Sequence, residues 1–168
     1  TSYRHSQNDN NSISSDGVWS LLEDSKGNLW AGTFGGGLNK FDRKKNIFTH
    51  YQHDEKNPKS ISDDIIVSLF EDSKGTLWIG TSSGLNKFNP EDGTFKYYRE
   101  KDGLPNDVIF GVLEDKNGNL WISTNNGITR FNPLKETFRN YYTDDGLQGN
   151  EFNQNAYARN KETGEIYF

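Results

Sequence analysis

Ser20 to Thr33 reads SLLEDSKGNLWAGT, and nearly the same string returns at Ser68 to Thr81 as SLFEDSKGTLWIGT and at Gly111 to Thr124 as GVLEDKNGNLWIST. Each copy holds a short apolar run, a turn built on Lys-Gly or Asn-Gly, and a second apolar run centred on tryptophan. That pattern is a β-hairpin unit. Trp30, Trp78 and Trp121 stand 48 and 43 residues apart, near the period of a four-stranded propeller blade and above that of leucine-rich or ankyrin units.

Working outward from each hairpin, the next segments complete a four-stranded meander. After the first come Gly37 to Asp42 (GLNKFD) and Ile47 to Tyr51. After the second (Ile65 to Glu71, Thr76 to Thr81) come Gly84 to Asn89 (GLNKFN) and Thr94 to Tyr98. After the third (Val108 to Glu114, Asn119 to Thr124) come Gly127 to Asn132 (GITRFN) and Thr137 to Tyr142. Turn residues at 43–46, 90–93 and 133–136 join the third and fourth strands. The expected fold is all-β, a partial β-propeller of about 3.5 to 4 four-stranded antiparallel blades, with complete blades at 17–51, 65–98 and 108–142.

Both ends are expected to fall inside blades. Shifting by 48 residues lays Thr1-Ser2-Tyr3 on Thr49-His50-Tyr51, His5 on His53 and Ser12-Ile13 on Ser60-Ile61, so residues 1–6 read as the outer strand of a preceding blade. Residues 152–168 read as the first two strands of an incomplete blade, Phe152 to Ala158 and Glu165 to Phe168, with Tyr167 at the tryptophan position. An open propeller leaves unpaired backbone and an apolar blade face in water. A piece of a longer propeller is the preferred explanation; a small ring of about four blades, or two copies sharing one ring, are the alternatives. Self-association through the open edges, or contact with remaining blades of a parent chain, follows as the expectation for partners.

Composition sets bounds on function. Of the 168 residues 31% are hydrophobic, 14% are aromatic and 17 are glycine, which suits short strands and tight turns. A formal net charge of −5 argues against nucleic acid as a partner, because that requires a basic footprint. Without cysteine there is neither a disulfide framework nor a thiolate metal site. No apolar run is long enough to span a membrane, so direct membrane contact is not expected. The lack of methionine, even at position 1, reads as a chain processed or cut from something larger.

The motif ED-x-x-G-x-LW-x-G/S-T, followed by GL-N-K-F and by DGLP-N ahead of the third blade, resembles the two-component regulator propeller repeats over essentially the whole chain. Leu104-Pro105-Asn106-Asp107, Glu114-Asp115, Gly118 and Leu120-Trp121 carry the best match. The tail from Gly146 resembles the closing blade of such sensors, departing from it at Gln148, where proline is common. The resemblance implies an extracytoplasmic or periplasmic sensor region of a hybrid two-component system. Its full-length members respond to breakdown products of complex polysaccharides and signal through a membrane helix to a histidine kinase.

Residues that recur in register build the frame, and those that differ at equivalent positions are where selectivity is written. The turns Asp24 to Gly27, Asp72 to Gly75 and Asp115 to Gly118 offer too few alternating oxygens for calcium and read as structural. The recurring tryptophans read as core, and Lys40, Lys87 and Arg130 as a solvated strand face, with an arc for anionic saccharides as the sharper reading. The histidines imply no three-histidine metal site, and no cofactor is expected. Candidate ligand-binding residues are the loop residues Phe34, Ser82, Ser83, Asn125 and Asn126, whose amides and hydroxyls suit sugar hydroxyls, together with Trp19 and Phe110 on the first strands. Ordinary turn and core roles are the alternative for each. No nucleophile elbow, P-loop or kinase signature is present. The expected function is a noncatalytic, saccharide-responsive sensor propeller; a structural or protein-interaction propeller is the alternative, and a propeller lyase or glycosidase the third.

Overall fold

The structure, a computed structural model, describes residues 2–160 and 162–168. Three four-stranded antiparallel sheets follow in order. The first joins β1 (Val18–Glu23), β2 (Leu29–Thr33), β3 (Leu38–Asp42) and β4 (Ile47–Tyr51). The second joins β5 (Ile66–Glu71), β6 (Leu77–Thr81), β7 (Gly84–Asn89) and β8 (Thr94–Tyr98). The third joins β9 (Ile109–Glu114), β10 (Leu120–Thr124), β11 (Gly127–Asn132) and β12 (Thr137–Tyr141). Each sheet is a meander whose spatial order equals its chain order, and the first strands β1, β5 and β9 neighbour one another. They form the inner edge of a propeller.

The recurring motif is explained by two hydrogen-bond sets. Within each blade the turn aspartate accepts the indole N–H six residues on: Trp30 to Asp24 at 2.9 Å, Trp78 to Asp72 at 2.8 Å and Trp121 to Asp115 at 3.0 Å. A buried indole N–H needs such a partner. Between blades the preceding glutamate accepts from the neighbour's turn. Ser25 donates its N–H and hydroxyl to Glu71, both at 2.7 Å, and Ser73 does the same to Glu114, both at 2.8 Å. The tryptophan rings fill the gaps between blades, Trp30 against Phe88 at 5.1 Å and Trp78 against Phe131 at 5.8 Å, both edge-on.

Each first strand approaches its partner through a small pair, Ser20 opposite Gly32, Ser68 opposite Gly80 and Gly111 opposite Ser123. The hydroxyl and the bare backbone exchange strands in the third blade. A Cβ on Gly80 would stand 2.3 Å from Ser68 Oγ and 2.7 Å from Ile109 Cγ2 of the next blade. Close inter-blade approach therefore requires one glycine in each pair.

The N-terminal register appears in side-chain bonds rather than in a strand. His5 repeats His53: each N–H donates to an aspartate, Asp16 or Asp64, at 2.8 Å, and each Nδ1–H donates to a carbonyl, Ile13 at 2.9 Å or Ile61 at 2.8 Å. The expected outer strand at residues 1–6 is corrected: residues 2–6 form no strand, and Thr1 lies outside the described residues. Backbone pairing is what makes a strand, and here loop bonds take its place. The expected first strand Phe152 to Ala158 is corrected as well. Asn153 to Ala156 make a turn with Asn155 at φ 61°, so only β13 (Ala158–Arg159) and β14 (Ile166–Tyr167) pair. Lys161, within the 152–168 unit, lies outside the described residues.

Candidate functional site

The β2–β3, β6–β7 and β10–β11 loops lie at one end of the blades, against the links that enter the first strands. The Phe34 N–H donates to the Gly17 carbonyl at 2.8 Å, Ser82 N–H to Ile65 at 3.2 Å, and the Asn126 side-chain amide to Pro105 at 3.5 Å. At this end each first strand carries a bulge. The register skips Trp19 between Val18 and Ser20, Val67 between Ile66 and Ser68, and Phe110 between Ile109 and Gly111. Bulges re-aim a side chain out of the ladder. Three equivalent positions thus point away from the regular sheet, and the sequence differs at all three.

Trp19 and Phe34 come together there. Their ring centroids lie 4.6 Å apart at 34°, and 42% of Trp19 and 51% of Phe34 remain exposed. Gly17 and the run Gly35-Gly36-Gly37 flank the pair in sequence. Gly37 has φ 78°, and a Cβ there would stand 2.4 Å from the Tyr51 carbonyl, so the loop is held to its small-residue course. The N–H groups of Gly35 and Gly37 both reach the Asp64 carbonyl, at 3.1 and 2.9 Å. The platform is therefore an exposed aromatic surface on a fixed loop, a form that stacks on flat apolar faces while polar edges stay wet.

The other candidates divide. Val67 is buried and Phe110 half-buried. Ser83 is committed: its hydroxyl donates to Asp63 at 2.9 Å and its carbonyl accepts from Arg99 Nε at 2.9 Å. Ser82 is half-buried beside it. Asn126 is held by its own N–H on Thr124 Oγ1 at 3.1 Å and by the contact to Pro105, while Asn125 is exposed on the same loop. Sequence reasoning missed Asp63, Arg99 and Gln154. Gln154 donates its amide to the carbonyl of the bulge residue Val67 at 3.1 Å, across 87 residues of chain. No local signal announces such a contact.

Lys40 and Lys87 do not form a shared arc. Lys40 Nζ lies 5.3 Å from the Trp30 ring centroid and Lys87 Nζ 5.8 Å from that of Trp78, so each ammonium rides on its own blade's tryptophan. The turn carboxylates are tuned toward charge. Burial raises the Asp24 pKa, but hydrogen bonds from Trp30, Asn28 and Lys26 outweigh it and hold the group below the usual carboxylate range. Asp115 behaves alike, with burial opposed by Asn119, Trp121 and Asn117. Such groups are ionised acceptors that fix structure. Among the described residues no cluster of three or more His, Cys, Asp or Glu forms a metal site, and no helix is long and apolar enough to cross a membrane.

A model of the two component regulator propeller matches residues 12–35, 60–83 and 103–126, that is, each link, first hairpin and following loop. The extracellular domain of a hybrid two component system protein from B. thetaiotaomicron is 30% identical over 98% of this chain, with a TM-score of 0.84. This chain spans 22% of that protein's length. Virginiamycin B lyase from Staphylococcus aureus shares the fold at 20% identity and a TM-score of 0.60, over 90% of this chain and 54% of the lyase. An auxiliary nutrient binding protein from Bacteroides thetaiotaomicron shares it at 10% identity and 0.63, over 89% of this chain and 40% of that one. No curated protein sequence matches. Three matched repeats on three successive blades, each built on the same Asp–Trp bond, identify residues 12–35, 60–83 and 103–126 as two component regulator propeller repeats.

Proposed function

We propose that this propeller is a noncatalytic, extracytoplasmic ligand-reading unit of a two-component sensor, and that a neutral saccharide ring stacks on Trp19 and Phe34. The observation that carries the reading is that pair: two exposed aromatics, in contact, at positions where the other blades hold Val67 and Phe110, Ser82 and Asn125. A sugar ring presents a face of C–H groups to such a platform and hydroxyls to the polar loops around it. The likeness to an extracellular domain of a hybrid two component system protein supports the location and the role. The carboxylates with lowered pKa, Asp24 and Asp115, are saturated with donors inside turns, the reverse of what a general acid requires.

Calorimetry of the chain against a panel of neutral oligosaccharides tests this. Heat is expected with at least one member, and Trp19→Ala or Phe34→Ala should weaken that binding about tenfold, as loss of a stacking ring does. No heat with any sugar, or unchanged binding in both variants, removes the reading. An interaction module is the second reading. It is favoured by an apolar slot of about 440 Å³ beside Trp121, lined by Ile128, Leu147, Phe152, Ile166 and Phe168 among others.

A further inference from the structure

The three β-hairpins that join third to fourth strands end in the same unusual backbone. Asn46, Gly93 and Glu136 have φ of 58°, 71° and 53°. Each stands against the fourth-strand tyrosine, or its register equivalent, that precedes its blade. The Tyr98 hydroxyl donates to Glu136 Oε1 at 2.9 Å, and Lys96 Nζ reaches both oxygens of that carboxylate at 2.5 and 2.7 Å. The hydrogen bonds from Lys96 and Tyr98 and the nearby charge of Lys87 hold Glu136 below the usual carboxylate range. At the N-terminal end the Tyr3 hydroxyl donates to Asn46 Oδ1 at 2.9 Å. Two of three tyrosines thus meet an acceptor carried by the next hairpin.

The gap between the first and second blades lacks that acceptor. Its tyrosine is Tyr51 and its hairpin residue is Gly93, whose missing Cβ would stand 3.4 Å from Tyr51 Cε1. Among the described residues no group in the protein accepts the Tyr51 hydroxyl. In the same gap lies a cavity of about 660 Å³ lined by the rings of Trp30 and Phe88 and by Lys26, Lys40, Lys59, Lys87 and Lys96, and the Tyr51 ring packs against both of those rings, 6.0 Å from Trp30 and 5.3 Å from Phe88. Lys40 is the register equivalent of Lys87, whose charge acts on Glu136. Among the described residues the ion pairs are Arg43–Glu23 and Lys96–Glu136, so of the five lysines on the lining only Lys96 is paired. The acids on the lining are occupied: Asp24 in its own turn, Glu71 by Ser25, and Asp92 by Thr94.

We propose that the gap between the first two blades binds a small carboxylate-bearing ligand, its carboxylate standing where Glu136 stands in the next gap, held by the Tyr51 hydroxyl and the Lys40 ammonium. This site lies at the turn end of the blades, opposite the Trp19–Phe34 platform, and does not depend on it. Glu136 shows how the protein itself fills such a gap, with Tyr98 and Lys96 in direct contact; Thr49 holds the Lys96 position in the first gap, so Lys40, the equivalent of Lys87, supplies the charge there. The ammonium groups supply charge, and the rings of Trp30 and Phe88 supply an apolar wall for whatever carries the carboxylate.

Amide NMR of the whole chain at low salt tests it, with D-glucuronate, glutarate and D-glucose as probes. Saturable shifts at Lys40, Gly93 and Thr94 are expected with glucuronate and not with glucose. Glutarate acting as well as glucuronate makes the bare carboxylate the recognised group; glucuronate alone makes it an acidic sugar. Lys40→Gln should weaken binding about fivefold, the scale of one exposed ion pair. Gly93→Glu should abolish it, because its own carboxylate then fills the place, at a backbone angle that Glu136 already adopts. No saturable shift with either acid, or binding unchanged in Lys40→Gln, overturns the proposal even if the Gly93 variant does not fold.

Discussion

Trp78 and Trp121 offer a comparison inside one molecule, because they share a motif and differ in what covers them. Trp78 is 1% exposed, lies against Phe131 of the third blade, and gives its N–H to Asp72 at 2.8 Å. Trp121 gives its N–H to Asp115 at 3.0 Å and stacks on Tyr141 of its own blade at 5.4 Å, but it borders the open slot and is partly exposed. Truncating a fully buried tryptophan to alanine costs about 3–5 kcal/mol. With one ring face already at the slot, Trp121→Ala should cost roughly half as much, about 1.5–2.5 kcal/mol. A difference of about 2 kcal/mol corresponds to roughly 4–8 °C in Tm for a chain of this size. Urea unfolding at 25 °C followed by far-UV circular dichroism measures both. Trp78→Phe and Trp121→Phe keep a ring and remove the N–H, so they separate the hydrogen bond from the packing if an alanine variant fails to fold. If Trp121→Ala costs as much as Trp78→Ala, contact with the following blade is not what makes the tryptophan stabilising, and the account of the motif fails.

Further expectations rest on other residues. Gly80→Ala should destabilise by about 1–3 kcal/mol through overpacking against Ser68 and Ile109, while Gly149→Ala, with nothing within 4 Å, should stay within about 0.5 kcal/mol; equal urea midpoints would refute the close approach. Ser68 Oγ is buried without a partner, so Ser68→Ala should be neutral or up to about 1 kcal/mol more stable, and a loss larger than that in the same melts would show an unseen role. Because the folded pKa values of Asp24 and Asp115 lie below their ordinary value, their contribution is fully present above about pH 4 and is lost as pH falls through the folded values. Urea midpoints should fall below pH 4 and fall less steeply in Asp24→Asn; an unchanged slope would remove this assignment. The Trp121 slot and the cluster of Phe41 and Phe48, buried under the half-exposed Tyr3, repeat the two halves of the inner blade contacts. Light scattering at micromolar concentration should therefore show a species heavier than 19.2 kDa, and a monodisperse monomer would favour closure within one chain.

The candidate site was partly legible. Trp19 and Phe34 stood out because they broke the repeat at equivalent positions, and the structure brings them into contact. Nothing in the sequence marks the bulge that aims Trp19 outward, since a bulge depends on how two strands pair. Ser83 looked available as a hydroxyl, yet Asp63 and Arg99 occupy it. Its commitment is a property of links from other parts of the chain.

The strands themselves were determined locally. Alternating apolar residues, Lys-Gly and Asn-Gly turns and the tryptophan period placed twelve strands within a residue or two of their observed bounds, because hairpins form between neighbours and need only short-range information. Position 152–158 was misread for the complementary reason. An apolar residue every few positions favours a strand only where a partner strand pairs with it, and here the backbone turns at Asn155 instead. The roles of Glu71 and Glu136 were settled only by tertiary structure. Each acts across the gap between two blades, where the distance that matters is set by how the sheets stack and not by separation along the chain.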